Sequence, residues 1–71
     1  MKTVEKLKNH LERKGNVWQI RTPGHFQTIG IFNTREDAEA QISAMYNNNN
    51  IAEEIFWDVR REIEVERYLE K

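Results

Sequence analysis

Cysteine is absent from this 71-residue chain, so disulfide staples and thiolate metal sites are excluded, and a reducing compartment suits it. Histidine occurs only twice, at positions 10 and 25, and without cysteine the pair makes no recognisable ligand spacing, so no metal is expected. No apolar run approaches the ~20 residues of a membrane span. The opening stretch, MKTVEKLKNHLERKG, is too charged for the apolar region of a signal peptide. A cytoplasmic chain without a membrane partner is therefore the expectation. Catalytic constellations are missing too. Ser43 falls on a predicted helix with no partner motif, and GHFQTIG has neither the spacing nor the following lysine of a phosphate loop. Abundant glutamate on the last predicted helix reads as a solvated face, not an acid–base dyad. The chain is read as non-enzymatic, with no catalytic residue and no cofactor.

With 71 residues and no internal repeat, residues 1–71 form one domain, close to the lower size limit for an adequate core without staples. Its one proline and three glycines make the chain breaks easy to read. Val17, Trp18 and Ile20, then Phe26, Thr28, Ile29, Ile31 and Phe32, are β-branched or aromatic, and Thr22-Pro23-Gly24 between them is turn chemistry. This predicts a β-hairpin over 17–32. An ordinary type I or II turn splays a two-residue hairpin, which favours a four-residue loop, Thr22 to His25, pairing Arg21 with Phe26. Trp18, Ile20, Ile29, Ile31 and Gln27 then share one face, and Gln19, Arg21, Phe26 and Thr28 the other. A three-residue loop would instead carry Phe26 to the buried side.

Asn33 or Thr34 caps a helix over 34–46, with Glu36 in capping-box position relative to Asn33 and Glu36 and Asp37 favourable at the positive helix start. Ala38, Ile42, Met45 and Tyr46 recur at helical spacing, and the four asparagines 47–50 end the run. Residues 1–14 read as a short amphipathic helix through Val4, Leu7 and Leu11, stopped by Gly15-Asn16, with His10 beside the apolar stripe and lysines outside. The last helix is placed at 51–69. Ile51, Ala52, Ile55, Phe56, Val59 and Ile63 fall within an arc of about 140° and form its core stripe. Trp57 and Tyr68 project from the opposite side. The fold class predicted is α+β, in the order α-β-β-α-α, with a two-stranded antiparallel hairpin packed on helices.

The net charge of −1 hides an asymmetry. Through Arg21 six positive residues oppose two acids (6 − 2 = +4); from Arg35 five oppose ten (5 − 10 = −5). Either these are solvated helix faces with mutual attraction between the halves, or a partner carries a charged surface.

Two functional classes follow. The first is a small regulatory or inhibitory protein that binds another protein or a second copy of itself as a homodimer, through Trp57, Arg61, Glu64, Val65 and Tyr68 on the spare side of the last helix; Trp and Tyr most often anchor interfaces. The second is a nucleic-acid-binding protein using the hairpin's outer face. There Gln19, Arg21, His25 and Thr28 could donate to phosphates or base edges and Phe26 could stack. The order WQIR, turn, TIGIF, NTREDAEA resembles the AP2-type and arm-type DNA-binding domains of phage integrases, over residues 17–46. That resemblance implies a three-stranded sheet on one helix, where two strands are read here, and implies that Gln19, Arg21 and Thr28 face DNA.

Overall fold

A computed structural model describes residues 2–70. Three helices and a three-stranded antiparallel sheet follow in the order α1 (Lys2–Asn9), β1 (Leu11–Lys14), β2 (Val17–Thr22), β3 (His25–Ile31), α2 (Arg35–Asn47) and α3 (Glu53–Leu69). Strands lie in the order β1-β2-β3, and the α+β class is as expected.

The expected helix over 1–14 is corrected: it ends at Asn9, and Leu11–Lys14 is a third strand, giving α-β-β-β-α-α. Leu11 fits the helical stripe of Val4 and Leu7, but it also fits a strand. Pairing Leu11 with Ile20 and Lys14 with Val17 supplies backbone bonds that a marginal helix of three apolar residues could not match. Gly15-Asn16, read as a helix stop, is the tight turn of a second hairpin. The break falls at His10, whose N–H still reaches the Leu7 carbonyl while its own carbonyl accepts from Arg21 N–H.

The β2–β3 turn is also corrected. Pairing continues beyond Arg21 with Phe26 to Thr22 with His25, leaving a two-residue loop, Pro23-Gly24, in place of four residues. Gly24 sits at φ 88, the value a type II turn demands of its third residue. The splay such a turn imposes is held by tertiary bonds: Thr22 and His25 both donate to Asp58 on α3, at 2.7 and 3.1 Å.

A bulge between Trp18 and Gln19 overturns part of the face assignment. Trp18 pairs with Gly30 and Gln19 with Thr28, so Ile29 is an extra residue on β3. Up to Ile29 the expected alternation holds, with Trp18, Ile20 and Ile29 buried. Beyond it the strand is flipped: Ile31 pairs with Val17 on the outer side and is 65% exposed, not in the core. Gly30 makes the bulge possible. It lies at φ 142, and a Cβ there would stand 3.1 Å from the Phe32 ring.

The core joins Leu7 of α1, Trp18, Ile20 and Ile29 of the sheet, Ala38, Ile42 and Met45 of α2, and Ile55 and Val59 of α3. Phe56, expected inside, is half-buried at the margin, stacked on Tyr46 at 6.3 Å between centroids with the Arg60 guanidinium over it. Thr34 caps α2 by accepting from Asp37 N–H, which resolves the choice between Asn33 and Thr34. α3 starts at Glu53, two residues later than expected, and Gln27 governs that start. From the helix-covered face of β3 its amide donates to Asn50 O at 2.9 Å and accepts from Ala52 N–H at 2.7 Å. That pair of bonds explains a polar residue on an apolar sheet face.

Candidate functional site

Part of the charge asymmetry is met inside the molecule. Lys6 and His10 on the basic side meet Glu66 and Glu62 of α3, and Arg35 donates to Lys8 O at the end of α1. Glu66 holds the Lys6 ammonium above its ordinary range through their hydrogen bond, against a smaller opposing effect of burial. Thr22 and His25, by hydrogen bonding, hold the Asp58 carboxyl below the usual carboxylate range, helped by the charge of Arg61. The acids on the inner flank of α3 are therefore occupied, with Arg61 at the border between that flank and the outer ridge.

On that ridge the structure brings together the residues singled out on the last helix. Trp57, Arg61, Glu64 and Tyr68 follow one another at intervals of four, three and four, which at 100° per residue confines them to a stripe of about 60° on the side opposite Ile55 and Val59. Val65 flanks the stripe. Trp57 is 50% exposed, Val65 51% and Tyr68 79%, and with Leu69 at the helix end four large apolar groups face water on one helix. Trp57 is stiffened by its neighbours, with Phe56 edge-on at 6.3 Å and the Arg60 guanidinium 5.1 Å from its centroid. Among the described residues neither Arg61 nor Glu64 makes a salt bridge. α1 meets α3 through Lys6 and Glu66, and its first residues, Lys2 and Thr3, border a groove with Glu64 and Arg67, while Trp57, Val65 and Tyr68 stay exposed.

A second surface is the sheet face away from the helices. Gln19, Arg21, Phe26 and Thr28 do share it, as the alternation of β2 and β3 requires. His25 does not: it turns toward α3 and binds Asp58, because it pairs with Thr22 on the helix side. Gln19 is 7% exposed, on the central strand between its pairing partners Glu12 and Thr28, and among the described residues its amide nitrogen has no hydrogen-bond partner. The strand missed in the sequence adds Glu12 and Lys14 to this face. Leu-Glu-Arg-Lys followed by Gly-Asn and a β-rich run was the available signal. Glu12 approaches Arg21 to 3.9 Å and offsets part of its charge.

Among the described residues no group of three or more histidine, aspartate or glutamate side chains is placed to hold a metal ion. No described helix is long and apolar enough to cross a membrane. Comparison with known proteins finds no family, no characterised relative and no solved structure that this chain matches.

Proposed function

We propose that this chain is a non-enzymatic binding protein, regulatory or inhibitory in kind, that acts through the outer ridge of α3 by engaging another protein surface. The observation that carries the reading is the alignment of Trp57 and Tyr68 on a solvent-facing stripe whose two charged residues, Arg61 and Glu64, are unpaired among the described residues. A single exposed aromatic needs no explanation. Two of them in helical register, one fixed by a cation and an aromatic edge, form the kind of rigid anchor that dominates interface energetics. The test is capture from native lysate by the immobilised chain, with and without nuclease. Wild type should retain a protein that Trp57→Ala loses while keeping its melting temperature. Capture that is indifferent to Trp57, or that nuclease removes, refutes the reading.

The open sheet face favours nucleic-acid binding as a second reading. It presents Lys14, Arg21, Thr28 and Phe26 on three strands, the number used by the DNA-binding domains that residues 17–46 resemble. The Glu12 carboxylate beside Arg21 counts against it, because phosphate affinity rests on uncompensated cations.

A further inference from the structure

Resting on the reading of the α3 ridge as a protein-binding surface, we propose that its occupant is the α3 ridge of a second copy of this chain, docked antiparallel about a two-fold axis at the level between Glu62 and Ile63. The argument is one of register. In a two-fold antiparallel helix pair, residue i of one chain meets the residue of the other that lies equally far on the opposite side of the axis. With the axis at that level Trp57 meets the partner's Tyr68, and Arg61 meets the partner's Glu64. Because the interface is isologous, each pair forms twice, so two aromatic contacts flank two ion pairs over about 16 Å of helix. All four ridge residues find complementary partners from a single choice of axis.

Charge selects this arrangement over its competitors. A parallel in-register pair would set Arg61 against the partner's Arg61 and Glu64 against the partner's Glu64, four like charges where the antiparallel pair has four opposed ones. α3 as a whole is acidic, with six acids against three arginines from Glu53 to Leu69, and two such helices would repel if every carboxylate faced the seam. Most do not: Asp58, Glu62 and Glu66 are turned inward to Thr22 with His25, to His10 and to Lys6, and Glu53 and Glu54 lie before Trp57, outside the paired span. What remains on the stripe is one positive and one negative residue. The ridge also lies opposite the core stripe, so the sheet stands away from the seam, and the start of α1, at Lys2 and Thr3, borders it beside Glu64.

Contact confined to one helix on each side belongs at the small end of specific interfaces, and association in the micromolar range is expected. Sedimentation equilibrium on the full chain, from about 10 µM to about 1 mM, should give a reversible monomer–dimer equilibrium. Arg61→Glu and Glu64→Arg should each raise the dissociation constant at least about tenfold, since each places two like pairs at the seam. The double variant, Arg61→Glu with Glu64→Arg, should restore the wild-type constant, because both pairs are reversed together. Circular dichroism melts of all three variants at a monomeric concentration should match wild type. A wild-type chain that stays monomeric throughout overturns the second copy as occupant. A dimer indifferent to the single substitutions overturns the surface, and a double variant that fails to recover overturns the register. Failure of the ridge as a binding surface for any protein is a separate result: it requires both a wild type that stays monomeric in sedimentation and no Trp57-dependent capture from lysate.

Discussion

The hydroxyl of Thr22, at the tip of the β2–β3 hairpin, donates a 2.7 Å hydrogen bond to the carboxylate of Asp58, 36 positions away on α3. His25 adds a second bond to the same oxygen, so one acid ties both ends of a two-residue turn to the helix. The carboxyl is held below its ordinary value of 3.8, first by Thr22, then by His25. A depressed carboxylate contributes stability that is present above its unfolded value and is lost as pH falls through the folded one. Melting temperature should therefore drop on acidification below about pH 4. Asp58→Asn should lower it near neutrality and flatten that acid limb. An acid limb unchanged in Asp58→Asn would assign the acid sensitivity to other carboxylates.

Trp18→Ala is expected to cost roughly 3–5 kcal/mol. Trp18 is buried against the helices, its indole N–H donates to Phe32 O at 2.9 Å, and the Arg13 guanidinium covers its rim at 5.6 Å. Loss of that size takes most of the stability of a domain this small. Urea denaturation measures it, and a midpoint shift worth under about 1 kcal/mol would contradict the packing described.

Much of this architecture was legible because local signals and tertiary packing agreed. Ala38, Ile42 and Met45 have a single period that fits, and Thr34 stands where a cap must stand, so α2 read correctly to within a residue. Ile55 and Val59 likewise fixed the inner face of α3, and with it the outward side carrying Trp57 and Tyr68. Three features were hidden, each for a physical reason. Leu11 satisfies helical and strand periodicity equally, and only pairing with Ile20 decides between them. The bulge at Ile29 leaves no trace in an alternation read by twos, so Ile31 was assigned to the wrong face. His25 points inward by alternation from Phe26, but a four-residue loop from Thr22 takes it out of the strand, and only its pairing with Thr22 shows which face it serves.

Gly30→Ala should destabilise by about 1–3 kcal/mol, through a φ of 142 that L-residues avoid and through the Phe32 ring 3.1 Å from the new methyl. Combining it with Phe32→Leu separates the two causes. If crowding dominates, the smaller side chain relieves much of the cost of the alanine; if the backbone dominates, the two losses simply add.

Gln19→Leu should raise stability by up to about 1 kcal/mol, because the amide nitrogen of Gln19 is buried and, among the described residues, nothing accepts from it. Leucine fills the same site on the central strand without that penalty. A thermal melt decides the matter. A fall in midpoint would show that the amide is satisfied in solution, by a water or by the carboxylate of neighbouring Glu12.

The open sheet face makes its own expectation in salt. If Lys14 and Arg21 each neutralise a phosphate, the logarithm of affinity for duplex DNA should fall with the logarithm of salt concentration at a slope near −0.9 for each contact. Arg21→Ala should then reduce the magnitude of that slope by about 0.9. Glu12→Gln should act in the opposite sense on affinity, since it frees the Arg21 guanidinium from a carboxylate 3.9 Å away. Fluorescence anisotropy with a labelled duplex, begun at about 50 mM salt where screening is weak, measures all three. The Glu12 variant is the most discriminating of them. A general increase in net charge would strengthen binding wherever the acid was removed, so Glu64→Gln on the far ridge serves as the control. Tighter binding by Glu12→Gln alone places the nucleic acid on the sheet; equal effects of the two, or no binding by any variant at low salt, remove the sheet face as a nucleic-acid site.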